Sequence, residues 1–310
     1  MLIRRGVSPA LLACVLLLGA SGPSPASPLR VLSTGPVDTL LSDHSGSFVF
    51  GKGRSGTLTV MHAESGVRRN VQLPEGCGVP SVGTRNAAAG RLLVDCPETG
   101  SWQVVDLRTG RATALPLQSP AGRPMYFSAI GRRWVGGSGP CDDRGTCTRY
   151  IDLAAGRLET RPAGFTADLE ATVLRSVGSC RGVAFNTYRE GWQIFDAPYL
   201  ARTVGRANAL YRRDCRTGRD ARLDPGFVSV LDVTFSDGAA FWPKGKRLIA
   251  ARLRDPSVRQ SWSVPGAKGD DIVHAVTGRR VIVGRVTKAD KLDTPQAMKL
   301  FIGSLSADLT

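Results

Sequence analysis

Short runs in which apolar and polar residues alternate cover most of the chain. In Ser101–Asp106, Trp102, Val104 and Asp106 fall on one side while Gln103, Val105 and Leu107 fall on the other. That two-residue period belongs to a strand with one face against a core. The same texture returns in Phe48–Phe50, Leu58–Met61, Leu92–Val94, Tyr150–Asp152, Leu248–Arg252 and Val281–Val283. No long stretch carries the 3.6-residue period of an amphipathic helix, and 36 Gly and 19 Pro punctuate the runs. The pattern predicts all-β structure built from short strands and tight turns.

The turns themselves repeat. Ser101–Asp106 runs into Asp106-Leu-Arg-Thr-Gly110, where the Asp carboxylate can accept backbone N–H groups and Gly supplies a positive φ. Tyr150-Ile-Asp152 followed by Gly156 repeats the corner, and His62 followed by Gly66 places His where Asp stands elsewhere. Gly191-Trp-Gln-Ile-Phe-Asp196 matches the strand at Trp102, so register positions 62, 106, 152 and 196 are spaced by 44, 46 and 44 residues. Asp214 to Gly218 gives a further copy, expected to close an enlarged fourth unit. A mid-forties period of short strands is the spacing of β-propeller blades, which bury their faces by stacking on one another. The expected fold is one β-propeller domain over residues 27–310 with six four-stranded blades, a strand within residues 30–41 completing the last. Five or seven blades and a two-sheet sandwich are the alternatives.

Residues 1–26 read as a cleavable signal peptide: Arg4 and Arg5, an apolar core over residues 11–20, then Ser24-Pro-Ala26. The apolar core is shorter than the roughly 20 residues a membrane-spanning helix needs, and no other segment is a candidate. Cys14 lies in a lipoprotein-like context, but the apolar residues that follow it argue against lipid anchoring. The chain is therefore expected outside the bacterial cytoplasm, secreted or extracytoplasmic.

Six cysteines then remain: Cys77, Cys96, Cys141, Cys147, Cys180 and Cys215. An even number in an exported chain implies disulfides, here expected as Cys77–Cys96, Cys141–Cys147 and Cys180–Cys215. No Cys-x2–4-Cys pair or neighbouring histidine supports zinc, and no metal or cofactor is expected.

Net charge is +15, with 34 Arg against 7 Lys. Such an excess can attract an anionic surface, yet no recognition helix, zinc finger or basic–aromatic RNA-binding module points to specific nucleic-acid binding. Neither a Gly-x-Ser-x-Gly elbow nor a His-Glu-x-x-His motif is present. Gly46 to Lys52 has nucleotide-loop spacing, but Phe48–Phe50 reads as strand and Gly53 replaces the metal-holding Ser or Thr. The segment Phe241-Trp242-Pro-Lys244-Gly-Lys246-Arg247 joins an aromatic pair to three positive charges in a Pro/Gly turn. It is the candidate binding loop, suited to a carboxylated or sulfated saccharide; its alternative role is the end of a buried strand. Trp102 and Trp192 are expected as packing residues in equivalent repeat positions.

On the Asp-x-x-x-Gly corners and their spacing, residues 30–308 resemble the WD40-like or TolB-like propellers of secreted bacterial proteins. The Gly-His and Trp-Asp marks of WD repeats are missing, so no binding residue transfers. The resemblance implies an interaction platform for a cell-envelope glycan or another exported protein. The competing expectation is a carbohydrate-active hydrolase or lyase with a site in the central channel.

Overall fold

The computed structural model describes residues 27–54, 56–80, 86–115, 126–140, 146–161, 192–194, 199–204, 209–214, 216–226, 233–236, 238–269, 271–289 and 295–309. Every regular element among them is a strand apart from a final 3-10 turn at Ala307–Leu309. The strands form six antiparallel four-stranded sheets. The first holds β2 (Thr39–Ser42), β3 (Ser47–Gly51), β4 (Thr57–His62) and β5 (Arg68–Gln72). The second holds β6 (Ala87–Ala88), β7 (Arg91–Cys96), β8 (Ser101–Asp106) and β9 (Ala112–Ala114). In the third are β10 (Tyr126–Ile130), β11 (Trp134–Pro140), β12 (Thr146–Asp152) and β13 (Arg157–Arg161). The fourth contains β14 (Trp192–Ile194), β15 (Tyr199–Val204), β16 (Ala209–Asp214) and β17 (Asp220–Asp224).

The fifth sheet is β18 (Thr234–Ser236), β19 (Ala239–Lys244), β20 (Arg247–Arg252) and β21 (Arg259–Ser263). The sixth joins β22 (Ile272–Thr277), β23 (Arg280–Ala289) and β24 (Pro295–Ser304) to β1 (Arg30–Val37) from the other end of the chain. Arg30 pairs with Ile302 and Val37 with Met298. This is the N-terminal strand completing the last unit, as the sequence predicted. Two large facing sheets, the sandwich alternative, are not what the strands build.

Five sheets are meanders and the sixth adds β1 to one, and among the described residues shared cores join the first sheet to the second, the second to the third, the fourth to the fifth, the fifth to the sixth and the sixth to the first. Val49, Leu58 and Val71 of the first meet Leu92, Val94 and Val105 of the second. Leu93, Trp102 and Val104 of the second meet Phe127, Ile130 and Val135 of the third. The Trp102 and Phe127 rings are edge-to-face, their centroids 5.6 Å apart. Leu210 and Leu223 of the fourth lie with Ala240 and Trp242 of the fifth. Phe241, Leu248 and Trp262 of the fifth lie with Val281, Val283 and Phe301 of the sixth. Finally Ile282, Met298 and Leu300 of the sixth pack on Phe48, Phe50 and Met61 of the first. Alternation explains the arrangement: neighbouring residues such as Phe241 and Trp242 enter different cores, because successive side chains leave opposite faces of a strand.

One repeat assignment needs correction. Trp192–Ile194 is the first strand of the fourth sheet, not the third as the match to Trp102 implied. The corner equivalent to Asp106 is Asp214, at the turn from β16 to β17, so the long interval lies before it. Asp196 lies outside the described residues. The error arose because a Trp-Gln-apolar strand looks alike wherever it stands in a sheet.

Cys77 and Cys96 form a disulfide across 19 residues with Cα atoms 4.0 Å apart. It ties the segment leaving β5 to the end of β7. Cys141, Cys180 and Cys215 lie outside the described residues, and with them the other two expected pairings. No helix among the described residues is long and apolar enough to cross a membrane.

Candidate functional site

The Asp-x-x-x-Gly corners all fall at the turn from third to fourth strand. In the second sheet Asp106 Oδ1 accepts from the N–H groups of Arg108 and Thr109 at 2.9 and 2.7 Å, and Gly110 N donates to Asp106 O at 2.8 Å. In the third, Asp152 Oδ1 accepts from Ala154 N at 2.9 Å. The fourth repeats this with Asp214 Oδ1 and Arg216 N, again 2.9 Å. His62 substitutes in the first sheet: Ser65 N donates to its Nδ1 at 3.3 Å, much as Ala155 N and Thr217 N donate to Asp152 and Asp214 at 3.4 Å. The glycines that end the four corners have φ between 62° and 74°, the region where a Cβ is strained.

These carboxylates are thus occupied in holding the backbone. Asp152 is also gripped by Arg133, whose Nε and Nη2 donate to Oδ2 at 2.9 and 2.6 Å. The Arg133 hydrogen bonds, outweighing burial and joined by the turn N–H groups, hold its carboxyl below the ordinary range. For Asp106 burial pushes upward, but the Thr109 and Arg108 donors together carry it below the usual value. Asp43, buried at the turn from β2 to β3, accepts from Ser45 N, Ser45 Oγ and Ser47 N, and from Gly90 N of the next sheet. Asp-His-Ser-Gly is a turn signature in the sequence, but nothing local marks the bond from Gly90 N.

The structure divides the predicted binding loop. Phe241 and Trp242 are 0% exposed and belong to the two cores flanking the fifth sheet. Their rings are consumed by packing, so a stacking role for them is withdrawn; the strand-end alternative describes them. Trp242 Nε1 donates to Asp224 Oδ2 at 3.1 Å, and Lys244 Nζ meets Asp224 Oδ1 at 2.5 Å. Gly226 N donates to the same carboxylate at 2.8 Å. Burial raises the Asp224 carboxyl, but the Lys244 bond and the other donors bring it below its ordinary value. This Asp224–Trp242–Lys244 cluster joins the fourth and fifth sheets, and only the packing of one sheet on the next assembles it. Lys246 and Arg247 remain exposed at the hairpin tip, where Arg247 Nη2 donates to Ser261 Oγ at 2.6 Å.

Other candidates take structural positions. Ser47–Gly51 is a strand, as its composition predicted, and not a phosphate loop. Asp271 accepts from Lys268 N and Gly269 N in the turn before β22. His274, in the middle of β22, has its Nε2 buried without a hydrogen-bond partner. Burial lowers its pKa from 6.5 to about 4 against a raising hydrogen bond from the Phe241 backbone. Among the described residues no three His, Cys, Asp or Glu side chains gather as a metal ion requires.

No protein-family model matches the chain, and no curated protein matches it in sequence. Solved structures do match in shape. A chain of the mitotic checkpoint complex aligns with a TM-score of 0.53 at 16% identity, over 98% of this chain and 100% of that one. The WD40 β-propeller domain of Doa1 aligns with a TM-score of 0.51 at 11% identity, over 92% and 97%. Regucalcin, a calcium-binding protein from Agrobacterium tumefaciens, gives a TM-score of 0.43 at 16% identity over 91% and 94%, too low to argue from. At these identities the likeness speaks for the fold alone: the chain is all-β and its architecture resembles a WD40 β-propeller.

Proposed function

We propose that the protein is an exported, noncatalytic β-propeller of six four-stranded blades that serves as a binding platform for a cell-envelope glycan or another exported protein. Support for the ring comes from the six sheets, from β1 beside β24, and from the core shared by the sixth and first sheets. The Cys77–Cys96 disulfide suits an oxidising compartment outside the cytoplasm. The observation that carries the platform reading is the use of the carboxylates. Asp43, Asp106, Asp152, Asp214 and Asp224 are each tied to backbone donors, leaving them as turn anchors instead of acids or bases aimed at a substrate. In this reading Lys246 and Arg247 keep their place as surface contacts for an anionic group.

Protein purified from culture medium should begin at Ser27 by mass spectrometry. It should co-sediment with isolated cell-envelope material without releasing new reducing ends or unsaturated sugars. Release of either product would overturn the platform reading in favour of a hydrolase or lyase.

A further inference from the structure

Six turns share a chemical feature that the fold does not require. Of the eight Gly-Arg steps among the described residues, those at Gly90, Gly110, Gly131, Gly156, Gly218 and Gly278 all stand where a first strand turns into a second or a third into a fourth. In an antiparallel meander both reversals lie at one end of the sheet, and the second-to-third reversal lies at the other. Five of these glycines have φ between 53° and 74°, and the arginine that follows starts the outgoing stretch. The turn therefore sets an arginine at the same end of the second, third, fourth and sixth sheets.

Bonds between sheets set these ends side by side. Arg91 Nη1 donates to Arg132 O at 2.9 Å across the second and third sheets. Gly46 N donates to Thr277 Oγ1 at 2.9 Å across the first and sixth, and Gln260 Nε2 to Ser304 O at 3.0 Å across the fifth and sixth. The described lysines are elsewhere. Lys52, Lys244, Lys246, Lys268 and Lys288 lie at the opposite end, with Arg54, Arg247 and Arg285, while Lys299 is within β24. A general preference of the sequence for arginine would not sort the two cations by face.

At the arginine end the aspartates at the corners are tied to turn N–H groups, whereas Arg108, Arg111, Arg216, Arg219, Arg254 and Arg279 are exposed. The geometry points to this end as the docking surface for a polycarboxylated glycan, an inference that rests on the platform reading above. A guanidinium fork matches a carboxylate through two parallel bonds, as an ammonium cannot. The same end shows the fit: Arg213 Nε and Nη2 donate to Asp220 Oδ1 and Oδ2 at 3.0 and 3.2 Å. Arginines recurring from sheet to sheet suit a chain whose carboxylates also recur, since linked weak contacts reinforce one another. A single-stranded nucleic acid would call for exposed aromatic rings on which bases stack, and a protein partner for an apolar anchor. Among the described residues the exposed large hydrophobics are Val31 and Val67 alone.

The test uses the mature protein and fluorescent oligogalacturonate, read by anisotropy at about 150 mM salt. Replacing Arg108, Arg111, Arg216 and Arg219 by Gln should weaken binding about tenfold or more, and replacing them by Lys should weaken it about threefold despite unchanged charge. The matched control, with Lys52, Arg54, Lys268 and Lys288 replaced by Gln, removes equal charge and should change binding less than about twofold. Thermal unfolding of each variant establishes that it is folded. Equal weakening by both Gln sets, or full retention with Lys, would reduce the effect to bulk charge and overturn the proposal. So would equal or tighter binding of single-stranded DNA or of an acidic protein, or no binding of oligogalacturonate by the wild-type protein. None of these results touches the platform reading, which co-sedimentation with envelope material decides separately.

Discussion

Asp224 sits 2% exposed between two sheets, receiving Trp242 Nε1, Lys244 Nζ and Gly226 N. Its removal leaves an indole donor buried without an acceptor. Asp224→Ala should therefore lower unfolding stability by about 3 kcal/mol in urea titration, with Asp224→Asn losing less because it still offers an oxygen. Nothing in the local sequence at Asp224 marks this role; 18 residues separate it from Trp242. The acid sensitivity of the molecule also belongs to single residues. Asp106, Asp152 and Asp224 have carboxyls lowered in the folded state. Their stabilisation is present above the ordinary carboxylate value, about pH 4, and is lost as pH falls below it through the lowered values. His274 acts in a higher window. With a folded pKa of about 4 against 6.5, the unfolded chain takes up a proton first, so stability should fall as pH drops from about 6.5 to 4, by up to roughly 3 kcal/mol. His274→Gln should flatten that part of a stability–pH curve while leaving the carboxylate part in place.

At the scale of the element, the corner between third and fourth strands was the most legible feature of the chain. Its chemistry is local: a carboxylate, three or four residues, and a glycine. Gly110 and Gly156 have φ of 74° and 62°, and a Cβ at either meets nothing within 4 Å. Gly110→Ala and Gly156→Ala should thus destabilise through backbone strain alone, by about 1 kcal/mol each in thermal unfolding. His62→Asp should do the reverse, raising stability by roughly 0.5 kcal/mol, because a carboxylate at that position can take the N–H two residues on, as Asp106, Asp152 and Asp214 take those of Arg108, Ala154 and Arg216. The same locality misled at Trp192, where a strand motif matched without its turn. Phe241 and Trp242 were illegible for a related reason. An apolar pair beside lysines reads alike in an exposed loop and at a strand end, and only the cores on both sides of the fifth sheet settle where the rings go.

For the whole molecule, period and alternation were enough to anticipate successive small sheets and a last one completed from the N-terminus. Which ends of the sheets would collect arginine was not visible until strand order assigned each Gly-Arg step to a turn. The Cys77–Cys96 bridge belongs to this scale too, since it ties the exit of the first sheet to the second. By the loop-entropy estimate, opening it by Cys77→Ser/Cys96→Ser should lower stability by about 3 kcal/mol, measured against the oxidised parent. Most partners here are near in sequence, but Arg30 must wait for Ile302 and Val37 for Met298. The earliest strand to emerge during synthesis has its neighbour made last. Until that neighbour arrives the assembly stays unlatched, so a chain exported as proposed above would still pass the translocation machinery as a thread.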